Sequence, residues 1–468
     1  MPEKALHPTA GTYFLSVSIE KFRCFHNKQT LDLSDGEGRY APWTILLGEN
    51  GGGKTTVLQA IASLESFPVP IANTEKMTEI LQTAVPSVPD QFKDLVFQKP
   101  RGADYLIGDP ANLNANSRTD FESELRVDGV LVTFDDIHAQ NSEKRKWSSY
   151  FHYNAFAFKH SAASPKTNPQ PRIHAYGAGR RLGAASFGEQ TASDAAQSLF
   201  DDDAHLIDAE EWLLQLDYST TKLRDKRQGQ WRQMVIDVLT NILPDVKDIR
   251  FDASSGIHPK PKVEFQTPYG WVALRQLGYG YRTMIAWVVD FASRMIEQNP
   301  DSPDPLAEPA VVLVDEIDLH LHPSWQRKLI QFLTERFPNT QFIATAHSPL
   351  IVQAAIDANF ALLRREGDHV VIDNDVEPLP GATIEQILTS DLFGLRSLRP
   401  PKFDPLLERR KALLTKHKLT PKDKKELAEL EAQIGVLPVG NTNDQAKRMM
   451  ELVEETQRLL RERASRSQ

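Results

Sequence analysis

The chain is 468 residues long, 40% hydrophobic and 25% charged, with a formal net charge of −9 and a pI near 5.9. That length buries a sizeable core and suits one main unit with insertions, and the acidic balance excludes a global basic field for nucleic acid, leaving only local patches. Cys24 is the sole cysteine, which excludes an internal disulfide and a cysteine-based zinc cluster, while the lack of an apolar leader or membrane-length run points to a cytoplasmic chain.

Ser16 to Phe25, followed by Leu31-Asp32-Leu33, reads as an opening hairpin, and Trp43-Thr44-Ile45-Leu46-Leu47 as a β-rich apolar strand. The strand runs into Gly48-Glu49-Asn50-Gly51-Gly52-Gly53-Lys54-Thr55, a complete G-x-x-x-x-G-K-[ST] phosphate loop. Beyond it Thr56 opens a helix with Val57, Leu58, Ile61 and Leu64 on one face. Glycines let backbone N–H groups converge on phosphate oxygens at a helix N-terminus. Gly48, Asn50, Gly51, Gly52, Gly53, Lys54, Thr55 and Thr56 are therefore the candidate nucleotide-binding set. Lys54 is expected to reach the β- and γ-phosphates and Thr55 to give a hydroxyl to Mg²⁺.

Residues 67–170 mix Pro, Asn, Asp and Ser with short β-like pieces such as Val130 to Phe134, and read as an irregular, partly β insertion. Ile173-His174-Ala175-Tyr176-Gly177 reads as a strand, and Gly177 to Gly183 as a turn around Arg180 and Arg181, each of which suits the phosphates or the surface equally. Residues 194–245 are helical, with Trp212, Leu213 and Leu216, then Val235, Val238, Leu239 and Ile242, at helical spacing. Leu277-Gly278-Tyr279-Gly280-Tyr281-Arg282 leads into a helix whose Met284, Ile285, Val288, Val289 and Phe291 suit a core face.

Ala310-Val311-Val312-Leu313-Val314 is a buried-strand pattern ending in Asp315-Glu316. At such a strand tip Asp315 can hold the Mg²⁺ shell, while Glu316 can face the γ-phosphate and orient the attacking water. Pro323 starts a helix with Trp325, Leu329, Ile330, Leu333 and Phe337. Gln341 to Thr345 then returns a parallel strand, and His347 just beyond it is the candidate γ-phosphate sensor. Asp318, His320 and His322 form a D-x-H-x-H array open to a transition-metal reading, and Asp373-Asn374-Asp375 reads as an acidic β-turn. Segment 404–468 is charged and helical, with Leu427, Leu430 and Ile434 in one helix and Met450, Leu452, Val453, Leu459 and Leu460 in another, across a hinge at 438–441. Arg180-Arg181, Lys222 to Arg227 and Lys416 to Lys425 are the local basic stretches, a pattern that usually marks solvated helix faces.

The loop, the Asp-Glu strand and the histidine strand, in that order with a long interruption after the first, resemble the ABC-type ATPases of the RecF, SMC and Rad50 group. The opening Ile19-Glu20-Lys21-Phe22-Arg23-Cys24-Phe25 is similar to that group's "I-x-x-F-R-x-F" element, in which Arg23 matches an arginine near the phosphates in some relatives; an arginine on a surface edge is the other reading. Asp315 to Pro323, Ala344 to Pro349 and Ile387 to Leu395 are similar to compact ATPases of the overcoming-lysogenization-defect type, and especially to the PtuA component of Septu anti-phage systems.

The resemblance implies an α/β fold: a P-loop NTPase with an ABC-type ATPase head, a mixed sheet flanked by helices, a helical lobe and C-terminal helices. The expected divisions are 1–66 with the phosphate loop, the insertion at 67–170, an arginine loop, helical lobe and signature at 171–300, the rest of the ATPase lobe at 301–395, and a helical segment at 396–468. No heptad array supplies the long arms of SMC and Rad50 proteins.

The resemblance also implies a homodimer or higher homo-oligomer built through the ATP sites. Gly278 and Gly280 then belong to the signature that closes over the other subunit's ATP and Mg²⁺, but Gly278 replaces the family's serine, which implies slow turnover. Residues 318–322 match the D-loop where subunits meet. Asp373 and Asp375 resemble the D-x-D of a Toprim nuclease, although the chain beyond them is short for that domain. The catalytic set is Glu316, His347 and Lys54, with Thr55 and Asp315 on the metal. The implied role is anti-phage defence through a separate effector such as an HNH nuclease, or within a retron complex with DNA or RNA, and without a membrane. A RecF-like DNA-binding repair ATPase and an ATP-stabilised scaffold are the alternatives.

Overall fold

The computed structural model describes residues 11–20, 22–62, 66–68, 98–100, 122–132, 145–154, 157–162, 171–183, 195–222, 224–253, 261–376, 380–395, 397–416 and 420–434. The expectations placed on Leu64, on Thr133 and Phe134, on the 438–441 hinge and on the helix from Met450 to Leu460 lie outside the described residues. The chain divides into two compact units, Met1–Phe393 and Gly394–Gln468.

In chain order the first unit begins with β1 (Gly11–Glu20), β2 (Gln29–Asp32), β3 (Trp43–Gly48), α1 (Lys54–Ala62), β4 (Ser66–Pro68), β5 (Gln98–Pro100), β6 (Glu122–Val132), β7 (Arg145–Asn154), β8 (Ala157–Ala162) and β9 (Ile173–Tyr176). It continues with α2 (Gln197–Phe200), α3 (Ala209–Thr221), α4 (Lys226–Ile242), β10 (Ile249–Ala253), β11 (Pro261–Thr267), β12 (Gly270–Ala273) and α5 (Tyr279–Gln298). It ends with β13 (Ala310–Val314), α6 (Pro323–Arg336), β14 (Thr340–Thr345), α7 (Pro349–Ala354), β15 (Asn359–Glu366), β16 (His369–Asp373) and α8 (Ile384–Thr389).

The central sheet has the order β16-β15-β3-β14-β13-β9. Every pairing in it is parallel except that of β16, which lies antiparallel on β15 at one edge. Continuous apolar runs form these strands because helices cover both faces. Alternate residues of β3 serve opposite sides: Trp43, Ile45 and Leu47 join Trp287, Val288 and Phe291 of α5, while Leu46 joins Val57, Leu58 and Ile61 of α1. Trp43 stacks on Phe342 of β14 at 4.3 Å. The register pairs Ala344 with both Ile45 and Val314. The C-terminal ends of β3, β14 and β13 therefore open at one edge, which is where an α/β sheet places a ligand.

A second, antiparallel sheet has the order β2-β1-β6-β7-β8. The opening hairpin forms as expected, with Ser16 opposite Asp32 and Ile19 opposite Gln29. β6 then pairs along β1 from Gly11 opposite Val132 to Glu20 opposite Glu124. β6 runs further than the short piece read at Val130 to Phe134, because its partner is the distant opening strand and pairing of that range leaves no local mark; β7 pairs on β6 and β8 on β7.

Asn374, between the two aspartates of the D-x-D, is tied to β2: its amide oxygen accepts from Asp32 N at 3.0 Å and its amide nitrogen donates to Thr30 O at 2.7 Å. Asp373 pairs with Arg364 at 3.4 Å. Asp373 thus closes β16 and Asn374 fastens the chain beyond it to β2, rather than the three residues forming the acidic β-turn read from the sequence.

In the second unit, α9 (Asp404–Leu414) and α10 (Pro421–Ile434) share a small core of Leu413, Leu430 and Ile434. Arg409 pairs with Glu426 at 2.6 Å and Lys416 with Asp423 at 2.7 Å, so part of the basic run at Lys416 to Lys425 is neutralised within its own helices.

Candidate nucleotide-binding site

β3 delivers the phosphate loop and α1 starts directly on Lys54. Gly48 has φ +139° and a Cβ there would collide with the Leu363 carbonyl of β15; Gly53 has φ +80° and a Cβ there would lie 2.8 Å from Cys24 Sγ. These two positions need glycine for backbone conformation and for space. The Lys54 ammonium is buried and donates to the Gly48 and Glu49 carbonyls, each at 2.8 Å. Burial lowers its pKa, opposed by the charges of Asp315, Glu316 and Asp318.

The acidic strand end is fastened to the loop by short hydrogen bonds. Thr55 Oγ1 donates to Asp315 Oδ2 at 2.7 Å and Thr345 Oγ1 donates to Asp315 Oδ1 at 2.7 Å. Glu316 N donates to Thr345 Oγ1 at 2.6 Å. Ends of β3, β13 and β14 thus converge on one carboxylate. Glu316 takes the left-handed conformation, φ +46°, which turns the backbone sharply out of the strand. A non-glycine residue there is held only when its surroundings over-determine it.

Arg180 does much of the holding. It is 2% exposed, and its guanidinium donates to the carbonyls of Gly177 at 2.8 Å, Asp315 at 2.5 Å and Glu316 at 2.8 Å. Desolvation lowers its pKa to about 10, against the pull of Asp315 and Glu316, so it stays cationic at neutral pH. The surface reading of Arg180 is therefore overturned, and what it grips is the acidic strand end. Sequence reasoning also gave no role to Thr345. The signals were there in weak form: an arginine among Gly177, Gly179 and Gly183 after a buried strand, and a hydroxyl ending the apolar run Phe342-Ile343-Ala344.

His347 lies just past β14, exposed, with its backbone N–H on the Asp318 carboxylate at 3.2 Å. Asp318 is thereby committed to the histidine strand. His320, φ +64°, packs edge-on against Tyr279 with centroids 4.6 Å apart, and His322 caps α6 by accepting from Ser324 N. The D-x-H-x-H side chains diverge to three different tasks, and they do not form a metal cluster.

Gly278 is the N-cap of α5, with no side-chain cap. A Cβ at Gly280 would collide with the His320 carbonyl, whereas one at Gly278 would meet nothing nearer than Tyr281 Cδ2 at 3.8 Å. Tyr279 and Gly280 thus touch the 318–322 loop within one chain. Beside them Arg181, Leu182, Arg275, Tyr279, Arg282 and Thr283 line a cavity of about 360 Å³. Arg275 is paired with Asp208 and Glu210, while the buried Arg282 Nε has no hydrogen-bond partner.

Arg23 is exposed, with φ +51°. Its guanidinium donates to Gln59 Oε1 of α1 at 2.5 Å, so it lies along the loop's helix while staying at the surface.

The residues present fit a magnesium nucleotide. A buried lysine folded onto its own loop, glycines whose Cβ atoms would close that loop, and a hydroxyl joined to an acidic strand end are the donor set for a triphosphate and a hard cation.

Comparison with known proteins agrees with this geometry. Residues 44–353 match the family described as "AAA domain, putative AbiEii toxin, Type IV TA system", and residues 16–65 match a second AAA-domain family. The chain is 25% identical over 442 residues to the Septu protein PtuA of Bacillus mycoides (strain KBAB4), covering 92% of this chain and 52% of that protein. It is 37% identical over 158 residues to the retron Ec83 probable ATPase of Escherichia coli, covering 33% of this chain and 28% of that one. The chain thus spans about half the length or less of these relatives. Among solved structures it is similar to the SMC head domain from Thermotoga maritima, at 12% identity and a TM-score of 0.39, covering 78% of this chain and 99% of that one, a score that leaves the fold to be read from the sheet order itself. Because the first family match covers more than half of the chain and contains the phosphate loop, Asp315, Glu316 and His347, the protein belongs to that AAA-domain family, with an α/β P-loop fold.

Proposed function

We propose that the protein binds ATP with Mg²⁺ between two copies of its head, hydrolyses it slowly, and through that cycle controls a partner effector, a nuclease, in anti-phage defence. The observation that carries the proposal is the Asp315 carboxylate, accepting one hydroxyl from the phosphate loop and one from the histidine strand.

In this reading the loop N–H groups and Lys54 hold the β- and γ-phosphates, and Lys54 exchanges its bonds to Gly48 and Glu49 for phosphate oxygens. Thr55 and Asp315 hold the metal, which when bound offsets the charge of the phosphates. Glu316, whose carboxylate has no hydrogen-bond partner among the described residues, orients water and accepts its proton. His347 contacts the γ-phosphate from the neighbouring strand.

The second copy supplies Gly278, Gly280 and the uncapped start of α5, whose N–H groups and dipole favour an anion. Arg181 and Arg282 in the adjoining cavity add positive charge where the signature serine is missing. The defence role rests on likeness to the Septu and retron proteins, and the nuclease partner is what the resemblance to that group implies.

The test is ATP turnover by the purified chain beside Lys54→Ala and Glu316→Gln. We expect slow Mg²⁺-dependent turnover, loss of binding in the first variant, and retained binding with turnover reduced about 10²–10⁴-fold in the second. Turnover by Glu316→Gln at the parental rate would contradict the assignment.

A further inference from the structure

Behind the phosphate loop, away from Asp315, a second group of metal-ligating side chains comes together. Phe22 and Phe25 form an isolated bridge that doubles the chain back between β1 and β2, and His26 follows it. Across from it the turn between β15 and β16 carries Gly367, φ +65°, and Asp368, and His369 opens β16. The two segments are joined by Val370 N donating to Cys24 O at 2.9 Å and by Ile372 N donating to Gln29 Oε1 at 3.1 Å.

This brings His26 Nδ1 to 3.8 Å from Asp368 Oδ2 and His369 Nδ1 to 3.2 Å from Asp368 Oδ1. The imidazole centroids are 6.0 Å apart with planes inclined by 24°. One ligand atom from each of the three residues lies within 4.8 Å of the others.

We infer that His26, Asp368 and His369 form a site for one divalent transition-metal ion, zinc foremost, joining the β1–β2 return to the β15–β16 turn. Two imidazole nitrogens and one carboxylate oxygen favour zinc, cobalt, nickel or copper over magnesium, which takes all-oxygen shells. The side chains of His26 and Asp368 are 51% and 84% exposed, so solvent fills the remaining coordination position.

The ion braces a segment that backs the nucleotide site. Cys24, two residues before His26, packs on Gly53 of the loop, and Arg23 reaches Gln59 of α1. The site differs from the Thr55 and Asp315 pair in position, ligand chemistry and preferred metal.

The experiment is calorimetric titration of the chelator-treated full chain with Zn²⁺, and with Co²⁺ followed by visible absorption, in millimolar Mg²⁺ and without nucleotide. One equivalent is expected to bind. Losing only an outer-shell partner of a metal ligand typically costs about 10–100-fold in affinity, so His26→Ala and His369→Ala are each expected to cost at least that and to abolish the cobalt spectrum. His26 lies in a loop, Asp368 in the β15–β16 turn and His369 at the first position of β16, so melting without metal should stay close to the parent, and Asp368→Asn should give an intermediate loss. Absence of zinc binding in the parent, or equal binding by parent and both histidine variants, overturns the site. Neither result bears on ATP turnover, which is read separately through Glu316→Gln.

Discussion

Arg180 carries a charge into the interior and spends its donors on backbone. With the guanidinium removed, the Asp315 and Glu316 carbonyls lose their donor in a buried place, at about 1–3 kcal/mol for each unsatisfied group. Arg180→Ala should therefore lower unfolding stability by about 2–6 kcal/mol, measured by denaturant titration. Arg180→Lys keeps the charge but has one donor centre in place of a planar fork. It should fold and bind nucleotide with near-parental affinity while kcat falls about 10²-fold, the scale expected of a small misplacement of catalytic groups. Equal kcat for parent and lysine variant would show that the clasp is structural only. At the signature, Gly278 has ordinary backbone angles and open space at Cβ, so Gly278→Ser should be accommodated. A recovered transition-state donor should raise turnover, since such donors are worth up to about 10²–10³ in rate. An unchanged rate would mean that the loop works without that hydroxyl.

Among the elements, the contact between the first turn of α5 and the 318–322 loop is a tight joint near the site. Gly280→Ala puts a methyl against the backbone carbonyl of His320, which has no side-chain freedom with which to yield. The loop must move, so steady-state hydrolysis should fall while nucleotide affinity, set by Lys54 and the glycines, stays near parental; fluorescence titration and turnover together check this. The core helices and the parallel strands were legible in the sequence, because apolar spacing and the G-x-x-x-x-G-K-[ST] motif are local. α6 begins at Pro323 and buries Leu329, Ile330 and Leu333 as its spacing indicates. The pairing of β6 with β1 and the clasp from Arg180 to Asp315, separated by 135 residues, were not legible. Both are choices of partner made in three dimensions, and a buried arginine looks in sequence like a surface one.

For the whole molecule, the sheet order gathers the phosphate loop, Asp315, Glu316 and His347 at one edge, and the signature glycines stand beside the 318–322 loop of the same chain. A complete site on the proposed mechanism takes its signature from a second copy, so nucleotide and assembly are linked: whatever binds only the dimer stabilises it by mass action. The most direct measurement is sedimentation velocity of Glu316→Gln with and without Mg·ATP, alongside the same variant carrying Lys54→Ala. The account predicts a nucleotide-dependent rise to at least twice the starting mass, lost in the Lys54→Ala background. An unchanged mass in the presence of bound, unhydrolysed ATP would contradict it.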